Sequence, residues 1–431
     1  MNIVVNKKNK GLKQTFMLPG DKSIAHRSLM IGALSKGQYK VLNFPKSMDC
    51  LATIDCIKKL GVNIIYKEGI LYVESQGYKK FNKTYMELDG KNSGTTTRLF
   101  SGILAGCNIK AILKGDESLQ KRPMDRIIVP LTEMGAIIEH NDGKLPMKFN
   151  CDNKLKGIYY ELPVASAQVK SCILIAGFLA EGNTTIIEKE YTRDHTENMF
   201  KYLNGKIKID GRKIVINNSA LQCKDIYIPG DVSSAAFIII SAILCDNCEI
   251  TIKDVLLNPR RIRYLDILKN MGVELSYEVT KKTLEDVGNI HVKSSETRGI
   301  EIHSEDVPNI IDEIPVLCVL AAFSKGTTVI HGVEELKYKE SNRIDSIIYN
   351  LSLCSIKSEY TDGDLFIYGD KNYFDKEVIF NSFGDHRIAM ASLVLSLRNK
   401  RRSVISGWEC TEISFPNAIN YFSEFMNISK I

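Results

Sequence analysis

The sequence has no apolar run long enough to cross a bilayer. Its longest such stretches, Ile173–Ala180 and Ala235–Leu244, fall well short of the ~18–20 residues a membrane span needs. No apolar segment follows the polar, basic stretch Met1–Lys13, so no secretory signal is expected and the protein should be cytoplasmic. Basic residues never run together beyond Lys400–Arg402, and a formal charge of +6 is too mild to favour nucleic acid as a partner. The aromatic residues, 8% of the chain, are dispersed and offer no platform for stacking bases. The 11 cysteines are odd in number and form no spaced framework, as expected of reduced thiols. One Cys-x-x-Cys pair, Cys245 and Cys248, has no second pair to complete a metal site, and neither a metal nor a redox role is expected of it.

What is present is ordinary globular material. The 431 residues are 44% hydrophobic and 25% charged, enough for a sizeable core and for two to four domains of conventional size. One pattern recurs six times. A small polar or acidic start leads into an apolar helix, a Gly or Asn/Asp turn and a short β-branched strand. The copies begin near Ser23, Ser93, Ser166, Ser233, Asp312 and Asp385, about 72 residues apart. Their helices are apolar on nearly every face, which predicts burial inside a domain. A second, more amphipathic helix follows in most copies, at Asp49–Leu60, Asp125–Met134, Thr196–Leu203, Arg260–Met271 and Ser341–Leu351. Two strands around a Gly turn close the unit, as in Val62–Tyr66 and Ile70–Ser75. The unit therefore reads β-α-β-α-β-β, and six buried helices are too many for one core of this size. Two α/β domains of three units each are expected.

The chemistry sits at the helix starts. Lys22, Ser23 and Arg27 open the first apolar helix, and Asn92, Ser93, Gly94, Thr95 and Arg98 the second. Ser166, Gln168 and Lys170 open the third, Asp312 and Glu313 the fifth, and His386 and Arg387 the sixth. A helix N-terminus offers free N–H groups and the positive end of a dipole, so cations there are disfavoured unless an anion joins them. Four of six starts breaking that rule predict convergent anion binding. Three further stretches fit the same purpose: Gln120–Met124 with Arg122 before Pro123, Tyr191–Glu197 with Arg193, and Lys337–Arg343 with Lys339, Glu340 and Arg343. Arg can fork a phosphate or carboxylate, and Asp312 and Glu340 among these cations are candidates for general base and proton relay.

These motifs resemble the 5-enolpyruvylshikimate-3-phosphate synthase family of enolpyruvyl transferases. The resemblance runs from LPGDKSIAHRSLMIGAL (Leu18–Leu34) to SFPNAINYF (Ser414–Phe422), through SGTTTRL, QKRPMDRI, SAQVKSC, YTRDHTE, PGDVSSAAF, KYKESNRID and FGDHRIAMA. It implies the two-domain enolpyruvyl transferase fold, an inside-out α/β barrel of six β-α-β-α-β-β repeats. Residues 20–228 would form the first domain, mainly for shikimate 3-phosphate. Residues 1–19 and 229–431 would form the second, mainly for phosphoenolpyruvate and the general base, with the active site in the cleft between them. By the same resemblance, Lys22, Ser23, Arg27, Ser166, Gln168, Asp312 and Lys339 would hold shikimate 3-phosphate. Lys22, Gly94, Arg122, Gln168, Arg343 and Arg387 would hold phosphoenolpyruvate. Asp312, Glu340 and Lys22 would be catalytic, with Asn92, Arg193 and His386 in support. Neither metal nor cofactor is implied, the family expectation is a monomer, and Gly94 at the donor-site position leads us to expect inhibition by glyphosate in competition with phosphoenolpyruvate.

The sequence departs from the family pattern in three places. Ala167 replaces a second Ser, Arg193 lies in a T-R-D-H-T-E variant, and Glu412, Ile413 and Ser414 stand where some members have a phosphoenolpyruvate-binding Lys. Two alternatives are weaker. A UDP-N-acetylglucosamine enolpyruvyl transferase would carry a reactive Cys or Asp on a Gly-rich loop before its donor-binding Arg, whereas Lys114–Arg122 reads KGDESLQKR, with no Cys. An RNA-end-processing protein of related repeat fold would need the clustered aromatics that are lacking.

Overall fold

The computed structural model describes residues 1–8, 11–150, 153–370 and 373–431. The chain divides into a contiguous unit, Gly20–Ile228, and a split unit made of Met1–Pro19 and Pro229–Ile431. The contiguous unit holds helices α1 (Lys22–Met30), α2 (Met48–Lys59), α3 (Gly94–Gly106), α4 (Glu117–Gln120), α5 (Asp125–Glu133), α6 (Ala167–Leu179) and α7 (His195–Tyr202). The split unit holds α8 (Val232–Leu244), α9 (Arg263–Asn270), α10 (Val307–Ile310), α11 (Ile314–Ala322), α12 (Arg343–Leu353), α13 (His386–Leu395) and α14 (Ala418–Phe422).

The six apolar helices of the repeat are α1, α3, α6, α8, α11 and α13, and each is buried along most of its length. In α6, Val169, Ile173, Leu174, Ile175 and Phe178 are each at most 3% exposed. Burying such a side chain contributes about 1.5–3 kcal/mol, so each of these helices is an anchor of its unit. Close approach is set by small residues. A Cβ on Gly102 of α3 would lie 2.5 Å from the Cys172 carbonyl of α6, and one on Gly106 would lie 2.6 Å from Leu179 Cβ. Any side chain at Gly102 would push α3 off α6.

The helix starts differ slightly from the sequence pattern. The caps of α1 and α8 are Asp21 and Asp231, two residues ahead of the serines that mark the repeat, and each carboxylate accepts from a first-turn N–H. Ser93, Ser166 and Asp385 cap α3, α6 and α13 as the pattern predicts. α11 has no side-chain cap. A short helix, α10, precedes it, and Pro315 stands in its first turn, where the missing N–H costs nothing.

Among the described residues there are six four-stranded sheets, one centred on each repeat. The third shows the common order. Tyr159–Glu161 pairs in parallel with Thr184–Ile187, which pairs antiparallel with Lys213–Ile216, and that strand pairs antiparallel with Ile207–Asp210. Buried and exposed residues alternate along such strands, as in Ile70–Gln76, where Leu71, Val73 and Ser75 point inward. Three sheets borrow a strand from a distant part of the chain. Ile226–Tyr227 completes the sheet of Lys36–Leu42, and Leu12–Met17 lies parallel to Cys248–Leu256. Ile3–Lys7 lies between Ser403–Ser406 and Met426–Lys430, antiparallel to both. Gly20, at the first crossing of the chain, packs so tightly that a Cβ would sit 2.1 Å from the Asn43 carbonyl oxygen.

Candidate active site

In the contiguous unit the predicted residues gather at the N-terminal ends of α1, α3 and α6 and on the segments before α5 and α7. Lys22 Nζ donates to Asp49 Oδ2 at 2.7 Å, from the first turn of α2. Arg27 is 3% exposed and acts as a fixed fork. Its Nε donates to Thr196 Oγ1 at 2.7 Å, its Nη2 to Ser171 Oγ at 2.8 Å and its Nη1 to the Ser23 carbonyl at 2.8 Å.

A second group surrounds Gly94. Arg98 Nη1 donates to Gln168 Oε1 at 2.6 Å, and Gln168 Nε2 donates to Thr95 Oγ1 at 3.0 Å. Arg122 Nη2 donates to Asn92 Oδ1 at 3.1 Å, while Asn92 itself donates to Asp116 at 2.6 Å. A Cβ on Gly94 would lie 3.3 Å from Arg98 Nη1 and 3.4 Å from Arg122 Nη1. The bare glycine thus leaves both guanidinium ends room at a helix start. Ser166 caps α6 and is half-buried, as is Arg193.

Behind these cations lies a buried hydroxyl chain. His26 Nδ1 meets Thr53 Oγ1 at 2.6 Å, Thr53 meets Thr96 Oγ1 at 2.8 Å, and Thr96 donates to Ser93 Oγ at 2.7 Å. Burial, then the charges of Lys22 and Arg27, holds the His26 pKa well below its usual value, so the ring is neutral.

In the split unit the centre is Arg343, 1% exposed. Its Nε donates to Asp385 Oδ2 at 2.8 Å, Nη1 to Asp312 Oδ1 at 3.2 Å and Nη2 to Glu340 Oε2 at 2.7 Å. Burial alone would lower the guanidinium pKa, but Asp385, Glu340 and Asp312 outweigh it and raise it. Arg387 Nη1 donates to the Asp312 carbonyl at 2.6 Å and to Ser233 Oγ at 2.8 Å, with its Nε 3.6 Å from Asp312 Oδ1. Ser233 in turn donates to the buried Glu313. His386 is buried, its Nδ1 3.9 Å from Asp385 Oδ1. Lys339 is half-buried at the end of a short 3-10 turn, Glu334–Tyr338, directly before Glu340.

The residues that orient the predicted ones were less visible in sequence. Asp49, Ser171, Thr196, Ser233 and Asp385 each fix a predicted cation across 25 or more residues. Ser233 and Asp385 carried a signal as repeat starts, and Asp49 and Thr196 as starts of the second helices, but none was marked as a partner of a cation. No group of three His, Cys, Asp or Glu side chains suited to a metal ion occurs among the described residues. Cys245 and Cys248 flank the turn after α8 as thiols not joined in a disulfide. Among the described residues no helix is long and apolar enough to cross a membrane.

The loop carrying Arg193 is tied to a buried trio. Lys170 Nζ lies 2.8 Å from Glu188 and 2.7 Å from Glu197, with all three side chains at most 1% exposed. Burial raises the Glu197 pKa, and Lys170 only partly offsets it. The native state therefore keeps this proton to higher pH than the unfolded chain does. Its contribution to stability is complete below the ordinary glutamate pKa of about 4.3 and is lost as pH rises through the raised value. Thermal melts over a pH series should show a downward slope across that window that Glu197→Gln flattens. Identical slopes would contradict a proton held there.

The four-stranded sheets, each with its buried apolar helix, define the architecture of the enolpyruvyl transferase class. The enolpyruvyl transferase NikO of Streptomyces tendae superposes with a TM-score of 0.79 over 99% of this chain and 98% of its own, at 13% identity, which speaks for the fold alone. The profile of the EPSP synthase (3-phosphoshikimate 1-carboxyvinyltransferase) family matches residues 6–422, and the chain belongs to that family. It is 50% identical over 428 residues to a 3-phosphoshikimate 1-carboxyvinyltransferase of Clostridium tetani, covering 99% of this chain and 98% of that one. A Thermoanaerobacter relative of the same name is 44% identical over 98% of this chain and 99% of its own. EPSP synthase of Acinetobacter baumannii, 36% identical, superposes over the full length of both chains with a TM-score of 0.88.

Proposed function

We propose that the protein transfers the enolpyruvyl group of phosphoenolpyruvate to the 5-hydroxyl of shikimate 3-phosphate and releases inorganic phosphate. The observation that carries this reading is the arrangement around Arg343, where two carboxylates of candidate acid–base function, Asp312 and Glu340, meet one buried guanidinium at 3.2 and 2.7 Å. The full-length relatives favour this reaction over transfer to UDP-N-acetylglucosamine.

Addition requires three things at once: loss of the 5-hydroxyl proton, attack of that oxygen on C2 of phosphoenolpyruvate and protonation of C3. Asp312 accepts the hydroxyl proton. Glu340 and Lys22 handle the C3 proton, which is given in the addition and removed again as phosphate leaves. Arg343 and Arg387 with Arg122 and Gln168 hold phosphoenolpyruvate, so charge developing on its phosphate meets fixed donors. Lys22, Ser23, Arg27, Ser166, Gln168 and Lys339 hold shikimate 3-phosphate, with Arg193 in support. Preorganised charge of this kind lowers the barrier because no dipoles must reorient during reaction.

The test is phosphate release from phosphoenolpyruvate with and without shikimate 3-phosphate. Release that depends on shikimate 3-phosphate supports the reading, and folded protein without it removes the reading. Gly94 provides a second check. Its Cβ would press on Arg98 and Arg122 at 3.3 and 3.4 Å, so those ends must shift by a few tenths of an ångström. Gly94→Ala is expected to raise KM for phosphoenolpyruvate by about three- to tenfold and to weaken competitive inhibition by glyphosate at least as much, while KM for shikimate 3-phosphate stays within about twofold. Equal changes in all three would show that the glycine serves only the fold.

A further inference from the structure

Lys170 is fully buried, and the reaction above assigns it nothing. It lies on α6 between Val169 and Ser171, two residues beyond Gln168. A buried ammonium carries a large desolvation cost, and replacing such an ion network by well-packed apolar groups is often neutral or stabilising. Stability is therefore a weak reason for a lysine here, and geometry is the better one.

Both ends of one segment converge on this ammonium. Lys170 Nζ donates to Glu188 Oε1 at 2.8 Å, and the same oxygen accepts from Thr192 N at 3.0 Å and Thr192 Oγ1 at 2.7 Å. Lys170 also reaches the Thr192 carbonyl at 3.5 Å and pairs with Glu197 at 2.7 Å. Arg193 follows Thr192 directly, and Thr196 directly precedes Glu197. Thr196 Oγ1 accepts from Arg27 Nε at 2.7 Å and donates to Ser171 Oγ at 2.7 Å, while Ser171 accepts from Arg27 Nη2 at 2.8 Å. The neighbours Lys170 and Ser171 thus clamp the start of α7 through Glu197 and Thr196, and Arg27 sits in the clamp.

We propose that Lys170 is a positioning residue that sets affinity for shikimate 3-phosphate, by fixing the 188–197 segment so that Thr196 orients Arg27 and Thr192 orients Arg193. This rests on the reading that those two arginines meet that substrate. The specificity of the effect follows from the wiring, because none of the contacts above is made by Gly94 or Arg122, the residues of this unit assigned to phosphoenolpyruvate alone.

Phosphate-release kinetics on wild type, Lys170→Met, Lys170→Arg and Thr192→Val, with each substrate varied in turn, test it. Lys170→Met is expected to raise KM for shikimate 3-phosphate about tenfold, with kcat and KM for phosphoenolpyruvate within about threefold of wild type. Lys170→Arg should recover most of the loss. Thr192→Val, which removes one bond to Glu188, should raise the same KM by about threefold. An unchanged KM for shikimate 3-phosphate, or a uniform loss in all three parameters, overturns the proposal. If circular dichroism shows Lys170→Met unfolded, Thr192→Val decides alone, a raised KM supporting the proposal and an unchanged one overturning it. Wild type that releases no phosphate removes the functional reading itself, an outcome distinct from wild-type turnover with indifferent variants.

Discussion

Asp312→Asn is expected to lower kcat by about 10²–10⁴-fold while KM for each substrate moves by less than about threefold. The reason is the division of labour at this side chain. Its Oδ1 accepts from Arg343 at 3.2 Å, and its backbone carbonyl accepts from Arg387 at 2.6 Å. An amide keeps the shape and an oxygen for Arg343, and the backbone contact is untouched, so both arginines keep their geometry. What is lost is the ability to take a proton from the attacking hydroxyl. Steady-state kinetics in both substrates is the measurement. A rise in KM as large as the fall in kcat would make Asp312 a binding or structural group.

Arg343→Lys should damage both stability and turnover. The guanidinium spans carboxylates from three segments: Asp312 before α11, Glu340 before α12 and Asp385 at the cap of α13. An ammonium is a point charge and cannot reach all three with one geometry. Leaving a buried carboxylate without its cation costs about 3–5 kcal/mol. At about 2–4 °C per kcal/mol for a unit of roughly 200 residues, the melting transition of the split unit should fall by about 6–20 °C. Turnover should fall by at least about a hundredfold at temperatures where the variant stays folded. Calorimetry together with the phosphate assay would check both, and a wild-type melting temperature would mean the three carboxylates are satisfied without the fork.

Much of this was legible in sequence because the signals are local. Apolar helices with small turn residues behind them repeat every 72 residues or so, and α3, α6 and α13 begin at the residues the pattern marks. Cations at helix starts stand out because helix chemistry disfavours them. What orients those cations was not legible. Arg27 and Thr196 are 169 residues apart, and Lys22 and Asp49 are 27 apart. No periodicity links such partners. Strand exchange was hidden for a related reason. Ile226–Tyr227 is two residues long and carries no alternation, yet it completes the sheet of Lys36–Leu42. Ile3–Lys7 lies within a stretch that reads as polar and basic, and nothing local to it names Ser403–Ser406 and Met426–Lys430 as its neighbours.

That last pairing has a consequence for biosynthesis. A ribosome adding about 5–20 residues per second needs roughly 20–80 s between making Ile3–Lys7 and making its partners. The contiguous unit can form completely in that time, since its strands all lie within Gly20–Ile228. Meanwhile the first strand, with Ile3, Val4 and Val5 destined for the core, waits as an unpaired edge. The split unit must then close by taking in a segment made long before its partners, which leaves that segment open to chaperones and to mispairing during synthesis.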